Sequence, residues 1–276
     1  MEITEHIDAL RREGTRLAEA AARTEPSAPV PTCPEWQSAD LLRHIGSVHR
    51  WAAAIVSRGL RAPLDEAGAQ AAIGPLPPDA ELLGWYREGH AALVDTLTAA
   101  PVDLECWSFL PSAGPLAFWA RRQAHETAIH RLDADAAAGA PGPVVDTALA
   151  LDGIDELVRG FMPRGRSALR SDVPRTLQVR ATDGAGARAG AGAGAGGATA
   201  TAEEAGSWRL TITQEPPTVT IGESPEPADL TLTGPAHELY PLLWNRLSAE
   251  RAGKVEPIGD RSLLALWSDA AAVRWS

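Results

Sequence analysis

Ten residues near the middle of the chain read Arg121-Arg122-Gln123-Ala124-His125-Glu126-Thr127-Ala128-Ile129-His130. An α-helix turns about 100° per residue, so side chains four apart lie on the same helix face. Glu126 and His130 therefore point the same way. A third ligand from another helix would complete a metal site with one open coordination position, which is typical of catalytic zinc. The pattern predicts a helical bundle with inward-facing ligands.

The best candidate for the third ligand is His44, which lies in another helical pattern, Asp40-Leu41-Leu42-Arg43-His44-Ile45-Gly46. Together, His44, Glu126 and His130 suit zinc, and also nickel, cobalt or iron. Two simpler interpretations remain open. His44 would be a core histidine satisfied by one hydrogen bond, and Glu126 and His130 would be a solvated helix pair.

The adjacent letters His125-Glu126 do not form a metalloprotease motif. That motif needs two histidines four residues apart, whereas Ile129 stands four residues after His125. His125 and His130 are five residues apart and point to different helix faces. His125 is a weaker candidate for lining the mouth of the cavity, whereas we expect His49 at the surface or in the core.

Composition narrows the class of protein. The chain has 276 residues, which suggests two domains, and its 45% hydrophobic content is ample for packed cores. A net charge of −11 argues against a nucleic-acid scaffold. Residues 1–22 are charged and amphipathic, so we expect no secretion, and the sequence contains no apolar run long enough to span a membrane. Cys33 and Cys106 are too few for a disulfide framework, so we expect a reduced, cytoplasmic protein.

Apolar spacing predicts a first domain over residues 1–162, built mainly from four helices. Ser38 is expected to cap the second helix, and a small hairpin is expected around Pro111-Ser112-Ala113-Gly114. A further helix is expected to close the bundle or to bridge to the next domain. The predicted helices cover residues 3–22, 38–57, 79–97, 116–138 and 146–161.

Residues 163–276 show short segments of period two, followed by two helical patterns, which predicts a small α+β domain. The predicted strands cover residues 176–180, 208–213, 218–221 and 229–233, and the helices cover 235–247 and 260–275. An Ala/Gly-rich insert at about 184–206 is predicted to be a disordered extension of a hairpin; a substrate lid is the alternative.

Four segments resemble the mycothiol-dependent maleylpyruvate isomerase family of actinobacteria. They are Thr32-Cys33-Pro34-Glu35-Trp36 with the following Asp40–Gly46 segment, the helix segment from Trp119 to Asp135, Ala228-Asp229-Leu230-Thr231-Leu232-Thr233-Gly234, and Ile258-Gly259-Asp260-Arg261. The resemblance covers nearly the whole chain apart from the insert. It implies a DinB-like four-helix bundle with a metal site, followed by a domain like a sterol carrier protein.

The resemblance also implies function. It places the zinc ligands at His44, Glu126 and His130, the same residues that spacing selects, and it implies mycothiol as the thiol cosubstrate. The expected chemistry is cis–trans isomerisation of a maleylpyruvate-like 2-oxo-enedioate. A thiolate adds to the double bond, rotation follows about the resulting single bond, and elimination gives the trans product. The metal would lower the thiol pKa or stabilise the developing enolate.

Other residues are weaker candidates for a role in the site. Asp133, three residues after His130, is a candidate for orienting a metal ligand, although it could instead pair with Arg131 or Arg122. Arg246, on the predicted helix over 235–247, is a candidate for clamping a substrate carboxylate, with a surface arginine as the alternative. Cys33 is interpreted as a small buried residue rather than a redox group, and Trp36 as a packing anchor.

Two rival functions remain. A mycothiol S-transferase acting on other electrophiles would have a more apolar cavity and no arginine cluster. A non-catalytic protein would carry an apolar ligand in the second domain, with a structural metal or none. In each case we expect small-molecule partners, no nucleic acid, no membrane, and a monomer or small homo-oligomer.

Overall fold

The computed structural model describes residues 1–142, 144–184 and 206–273. The chain divides into two compact units, Met1–Pro143 and Val144–Ser276. The boundary lies earlier than the predicted one after residue 162. The helix expected between residues 146 and 161 therefore belongs to the second unit.

The first unit is a helical bundle, as predicted. The long helices α1 and α2 each pack against both α4 and α5, and the short helix α3 packs on α2. Apolar side chains that include Leu17, Leu41, Ile45 and Leu82 fill one core between them. The helix bounds are α1 Ile3–Ala21, α2 Ser38–Arg58, α3 Glu66–Ile73, α4 Leu82–Ala99 and α5 Pro115–Ala137.

The start of α2 differs from the prediction by one residue. Gln37, not Ser38, is the N-cap, and it forms a capping box with Asp40. The Gln37 side chain accepts the third backbone N–H of the helix, while Asp40 accepts the N–H of Gln37. This exchange satisfies two backbone donors that have no partner within the helix. The helix ends at Gly59, whose φ of 57° is easily adopted only by glycine.

Helix α5 is buried on every side. All residues from Arg122 to Ala134 are buried, including charged and polar ones. A helix that is buried all round is normally apolar, because an unpaired buried charge is costly. The polar side chains of α5 therefore need partners inside the protein, and these partners form the candidate site.

The second unit is the predicted α+β fold, with a mixed sheet in the order β3-β2-β1-β4-β5. β1 pairs antiparallel with β2 and parallel with β4. One sheet face supplies apolar core residues such as Val179, Leu210 and Leu232. The bounds are α6 Thr147–Asp155, β1 Arg175–Ala181, β2 Ser207–Ile212, β3 Thr218–Ile221, β4 Leu230–Gly234, α7 Ala236–Leu243, β5 Glu256–Gly259 and α8 Ser262–Ala270.

Several local predictions were wrong. Residues 101–114 contain no strand, so the expected hairpin around 111–114 is not formed. The helix expected to reach residue 247 ends at Leu243, and the chain turns at Asn245, whose φ is 59°. The helix predicted over 146–161 is α-helical only to Asp155 and continues as a π-helix over Glu156–Phe161. Strand β5, which contains Pro257, was not predicted.

The Ala/Gly insert predicted to be disordered falls mainly on residues 185–205, which lie outside the described residues. Across the described ranges, no helix combines the length and the apolar character needed to cross a bilayer.

Candidate metal centre

Helices α2 and α5 bring the three expected metal ligands together. The Nε2 atom of His44 lies 3.3 Å from Oε1 of Glu126, and Nε2 of His130 lies 3.4 Å from the same oxygen. All three ligand atoms lie within 4.8 Å of one another. Two nitrogens and one oxygen thus converge on one point between the helices.

These distances suit a small tetrahedral ion. Zinc binds histidine nitrogen and carboxylate oxygen at about 2.0–2.2 Å, so two neighbouring tetrahedral ligands lie roughly 3.3–3.5 Å apart. Glu126 and His130 are buried, whereas the His44 side chain is 24% exposed. An ion at this point would therefore be reached from the side of His44.

Asp133 orients His130. Its Oδ2 atom lies 2.8 Å from Nδ1 of His130. An ionised carboxylate only accepts hydrogen bonds, so Nδ1 carries the proton and Nε2 keeps its lone pair for a metal. Asp133 is fully buried and also accepts hydrogen bonds from Thr32 Oγ1 and Cys33 Sγ.

Trp36 packs on both imidazoles. Its ring stacks on His130 at a centroid distance of 5.8 Å and lies tilted against His44 at 4.9 Å. Trp36 is thus the packing anchor that the sequence indicated, and the rings it packs against are the two candidate ligand rings.

Arg122 holds the other oxygen of Glu126. Its Nη2 atom donates to Oε2 at 3.1 Å, and the arginine side chain is only 1% exposed. Burial alone would raise the pKa of the Glu126 carboxyl. The hydrogen bonds from His130 and His44 and the charge of Arg122 outweigh burial and hold this pKa well below its usual range. Glu126 is therefore anionic, as a metal ligand must be.

The pKa of His130 is shifted in the opposite direction, upwards. Burial favours the neutral imidazole and lowers its pKa, but the hydrogen bonds and negative charges of Asp133 and Glu126 outweigh burial and raise the pKa overall. Both neighbours thus make the site strongly cation-binding: in the absence of a metal it attracts a proton to His130.

Comparison with known proteins agrees with this architecture. The profile of the mycothiol maleylpyruvate isomerase N-terminal domain matches residues 7–135, and the profile of the corresponding C-terminal domain matches residues 148–266. The chain belongs to this family. The two matches meet near the boundary between the two compact units. No curated protein matches the chain.

The family's fold is also found in solved structures. A crystal structure of the mycothiol-dependent maleylpyruvate isomerase is 13% identical, covers 94% of this chain and 93% of that chain, and superposes with a TM-score of 0.57. A histidine-to-alanine mutant of that isomerase is 12% identical with a TM-score of 0.56, at the same coverage. Both matches confirm the predicted bundle and its second domain.

Two other candidate residues lie differently from expectation. His125 is fully buried, with its ring edge-on to His6, so the expectation that it lines the cavity mouth was wrong. Arg246 lies beyond the end of α7, in the turn at Asn245, where its Nη1 donates to the carbonyl of Trp244. His49 is a core residue that bonds Thr127 at 2.9 Å.

Two contacts around the site were not predicted from the sequence. Arg122 stands four residues before Glu126, on the same helix face, and this spacing could have identified it as a partner of Glu126. The contact between Thr32 and Asp133 spans 101 residues, and no local pattern signals it.

Proposed function

We propose that the protein is a metal- and mycothiol-dependent enzyme that isomerises a maleylpyruvate-like 2-oxo-enedioate from cis to trans. The observation that carries this proposal is the convergence of His44, Glu126 and His130 at spacings that suit tetrahedral zinc. Three protein ligands leave the fourth position for a small molecule, which is typical of catalytic zinc.

The residues have distinct roles in this proposal. His44, Glu126 and His130 hold the metal, Asp133 keeps the Nε2 lone pair of His130 available, and Arg122 keeps Glu126 ionised and oriented. A bound divalent metal would supply a lowered thiol pKa or Lewis-acid stabilisation of an enolate.

The cysteines support an external thiol. Burial raises the pKa of the Cys106 thiol, which makes it a poorer nucleophile. Cys33 lies beside the carboxylate of Asp133, whereas reactive cysteines have electropositive surroundings. Both cysteines are thiols, which suits the reducing cytoplasm that we propose for this protein.

Mycothiol transfer to another electrophile is a second candidate function. The two arginines next to metal ligands in sequence are already paired: Arg43 with Asp40 and Asp79, and Arg131 with Glu13 and Asp135. Arg122, on the same helix face as Glu126, is paired with that carboxylate. This pairing favours a substrate with fewer carboxylates than a 2-oxo-enedioate. The isomerase proposal needs a further group that binds the substrate carboxylates, and Arg246 is the candidate that the sequence offers.

Metal content is the first test. Elemental analysis of the purified protein should find one equivalent of zinc in the wild type and none in His130→Ala. His237→Ala serves as the control, because this half-buried histidine lies on α7 in the second unit and its variant should keep the metal. A wild-type protein that takes up no metal, even when zinc is supplied, would support the non-catalytic binding protein instead.

Activity separates the two enzymatic functions. The zinc-loaded protein should isomerise maleylpyruvate only when mycothiol is present, and Arg246→Ala should raise KM for this substrate. Consumption of mycothiol with a general electrophile, without isomerisation, would identify an S-transferase.

A further inference from the structure

The linker between α1 and α2 contains a turn from Pro29 to Gln37 that is closed by its own backbone. The N–H of Val30 donates to the carbonyl of Trp36 at 2.9 Å, and the N–H of Trp36 donates to Cys33 at 2.8 Å. Pro29 and Gln37 pair as an isolated antiparallel bridge. These bonds fix the directions in which Thr32 and Trp36 project.

Two side chains of the Pro29–Gln37 turn bind the buried carboxylate of Asp133. Thr32 Oγ1 donates to Oδ1 at 2.6 Å, and Cys33 Sγ lies 3.6 Å from Oδ2. A fully buried carboxylate is costly unless its oxygens accept hydrogen bonds. Thr32 donates to Oδ1, while His130 and Cys33 both contact Oδ2, so these contacts favour one rotation of the carboxylate.

We propose that the Pro29–Gln37 turn is a positioning clamp for the metal centre, with Thr32 as its principal positioning residue. Thr32 acts through Asp133 on His130, and Trp36 limits the rotation of both imidazoles by packing on them. This inference rests on the proposed function, because it assumes that His44 and His130 bind the metal.

The contacts that form the clamp connect Thr32 to His130 in series. The hydroxyl of Thr32 donates to Asp133, and Asp133 accepts from Nδ1 of His130. Nε2 of the same ring lies 3.4 Å from Oε1 of Glu126. Hydrogen-bonded partners of a ligating histidine fix its tautomer and its ring orientation. Without the hydroxyl of Thr32, Oδ1 of Asp133 would lose this hydrogen bond, and the carboxylate would be held less firmly in the orientation that bonds His130.

The test compares Thr32→Val, Thr32→Ser and a control, Thr98→Val. Valine keeps the shape of threonine but removes the donor, and serine restores the donor. Thr98 is an exposed threonine on α4 whose hydroxyl donates within its own helix, to the carbonyl of Val94. Two properties should be measured: zinc affinity by chelator competition, and the visible absorption spectrum of the cobalt-substituted protein.

Thr32→Val should weaken zinc binding about tenfold and shift the cobalt bands, whereas Thr32→Ser and Thr98→Val should match the wild type. In an Asp133→Asn background, Thr32→Val should cause little further loss, because the two residues act in series. Thermal unfolding of the metal-free variants would separate loss of fold from loss of positioning.

The outcomes distinguish this inference from the proposed function. If the wild type binds zinc and Thr32→Val binds it equally well with the same cobalt spectrum, the clamp is refuted and the metal site stands. Losses from Thr32→Val and Asp133→Asn that simply add would also refute the clamp. If the wild type binds neither zinc nor cobalt, the metal site and the clamp both fail.

Discussion

Asp133 has three neighbours of different kinds, namely an imidazole, a hydroxyl and a thiol, and only the imidazole is a candidate metal ligand. Asp133→Asn keeps the shape of the side chain but removes its charge. We expect zinc affinity to fall about 10–100-fold, because the basicity and the tautomer of His130 depend on the carboxylate.

Chelator competition measures this loss. The control is Asp135→Asn, which changes a half-buried carboxylate of the same helix that pairs with Arg131. Equal affinity in both variants would mean that Asp133 serves packing rather than the metal centre.

His90 gives the bundle a pH dependence that does not involve the metal. Burial lowers its pKa below the usual value; the hydrogen bond to the Leu10 carbonyl opposes this shift, and the charge of Arg11 adds to it. Below a pH of about 6.5, the unfolded chain takes up a proton that the folded protein does not. The contribution of His90 to the free energy of unfolding therefore decreases as the pH falls below that value and is level above it.

His90→Gln should remove this contribution, because the amide can still donate to Leu10 but does not titrate. The slope of the free energy of unfolding against pH should become shallower by up to about 1.4 kcal/mol per pH unit between pH 5 and 6.5. Denaturant unfolding at several pH values measures the difference between variant and wild type. The difference at pH 8, where both side chains are neutral, provides the reference. An unchanged slope would show that His90 does not titrate with unfolding.

Helices α1 and α4 approach closely at Gly14. A Cβ atom at this position would lie 2.1 Å from Nε2 of His90, a buried ring that is hydrogen-bonded to α1. Gly14→Ala should therefore destabilise the protein by about 1–3 kcal/mol, because the ring has to move. Chemical unfolding measures this change.

Gly84 provides the matched control. It is an exposed glycine of α4, and a Cβ atom there would meet nothing within 4 Å. Gly84→Ala should stabilise the helix by up to about 1 kcal/mol, because alanine has the higher helix propensity. Similar effects of both substitutions would contradict the close approach at Gly14.

The elements that the sequence predicted best are those with strong periodicity. Helices α1, α2, α4 and α5 have apolar stripes or spaced ligands, and the structure forms them within a few residues of the predicted bounds. The short helix α3 was missed because its eight residues are too few to show a helical period, and none of them is buried. Its N-cap, Asp65, was the available local signal, since its side chain accepts the N–H of Gly68.

The candidate site followed the same rule. His44, Glu126 and His130 were found because spacing on a helix fixes direction, and the contact between His130 and Asp133 was found for the same reason. Thr32 and Trp36 lie on an irregular turn, where spacing does not predict direction. The loss of helix before Arg246 depended on a left-handed residue at Asn245, which nothing in the apolar pattern indicated.

The division of the molecule into two units has a consequence for the metal centre. All three candidate ligands lie in Met1–Pro143, whereas α6 packs against α7 and its Gly153 carbonyl accepts a hydrogen bond from Trp244. A fragment of residues 1–142 should therefore bind one equivalent of zinc. A fragment of residues 1–162 should bind zinc too, but should aggregate more, because α6 would lose its apolar partners.

Metal analysis and light scattering of the two purified fragments would check this prediction. A longer fragment that is more stable and no more prone to aggregation would place α6 with the bundle, as the sequence had indicated.

Strands β1 and β2 are consecutive in the chain and pair in continuous register, from Arg175 opposite Ile212 to Arg180 opposite Ser207. The two described ends of their connection are also close, since the N–H of Ala181 donates to the carbonyl of Gly206 at 2.7 Å. For a flexible connection, each doubling of its length costs about 0.6 kcal/mol of closure entropy. This hairpin is thus a natural place to insert a fluorescent reporter or an affinity module, far along the sequence from the metal ligands.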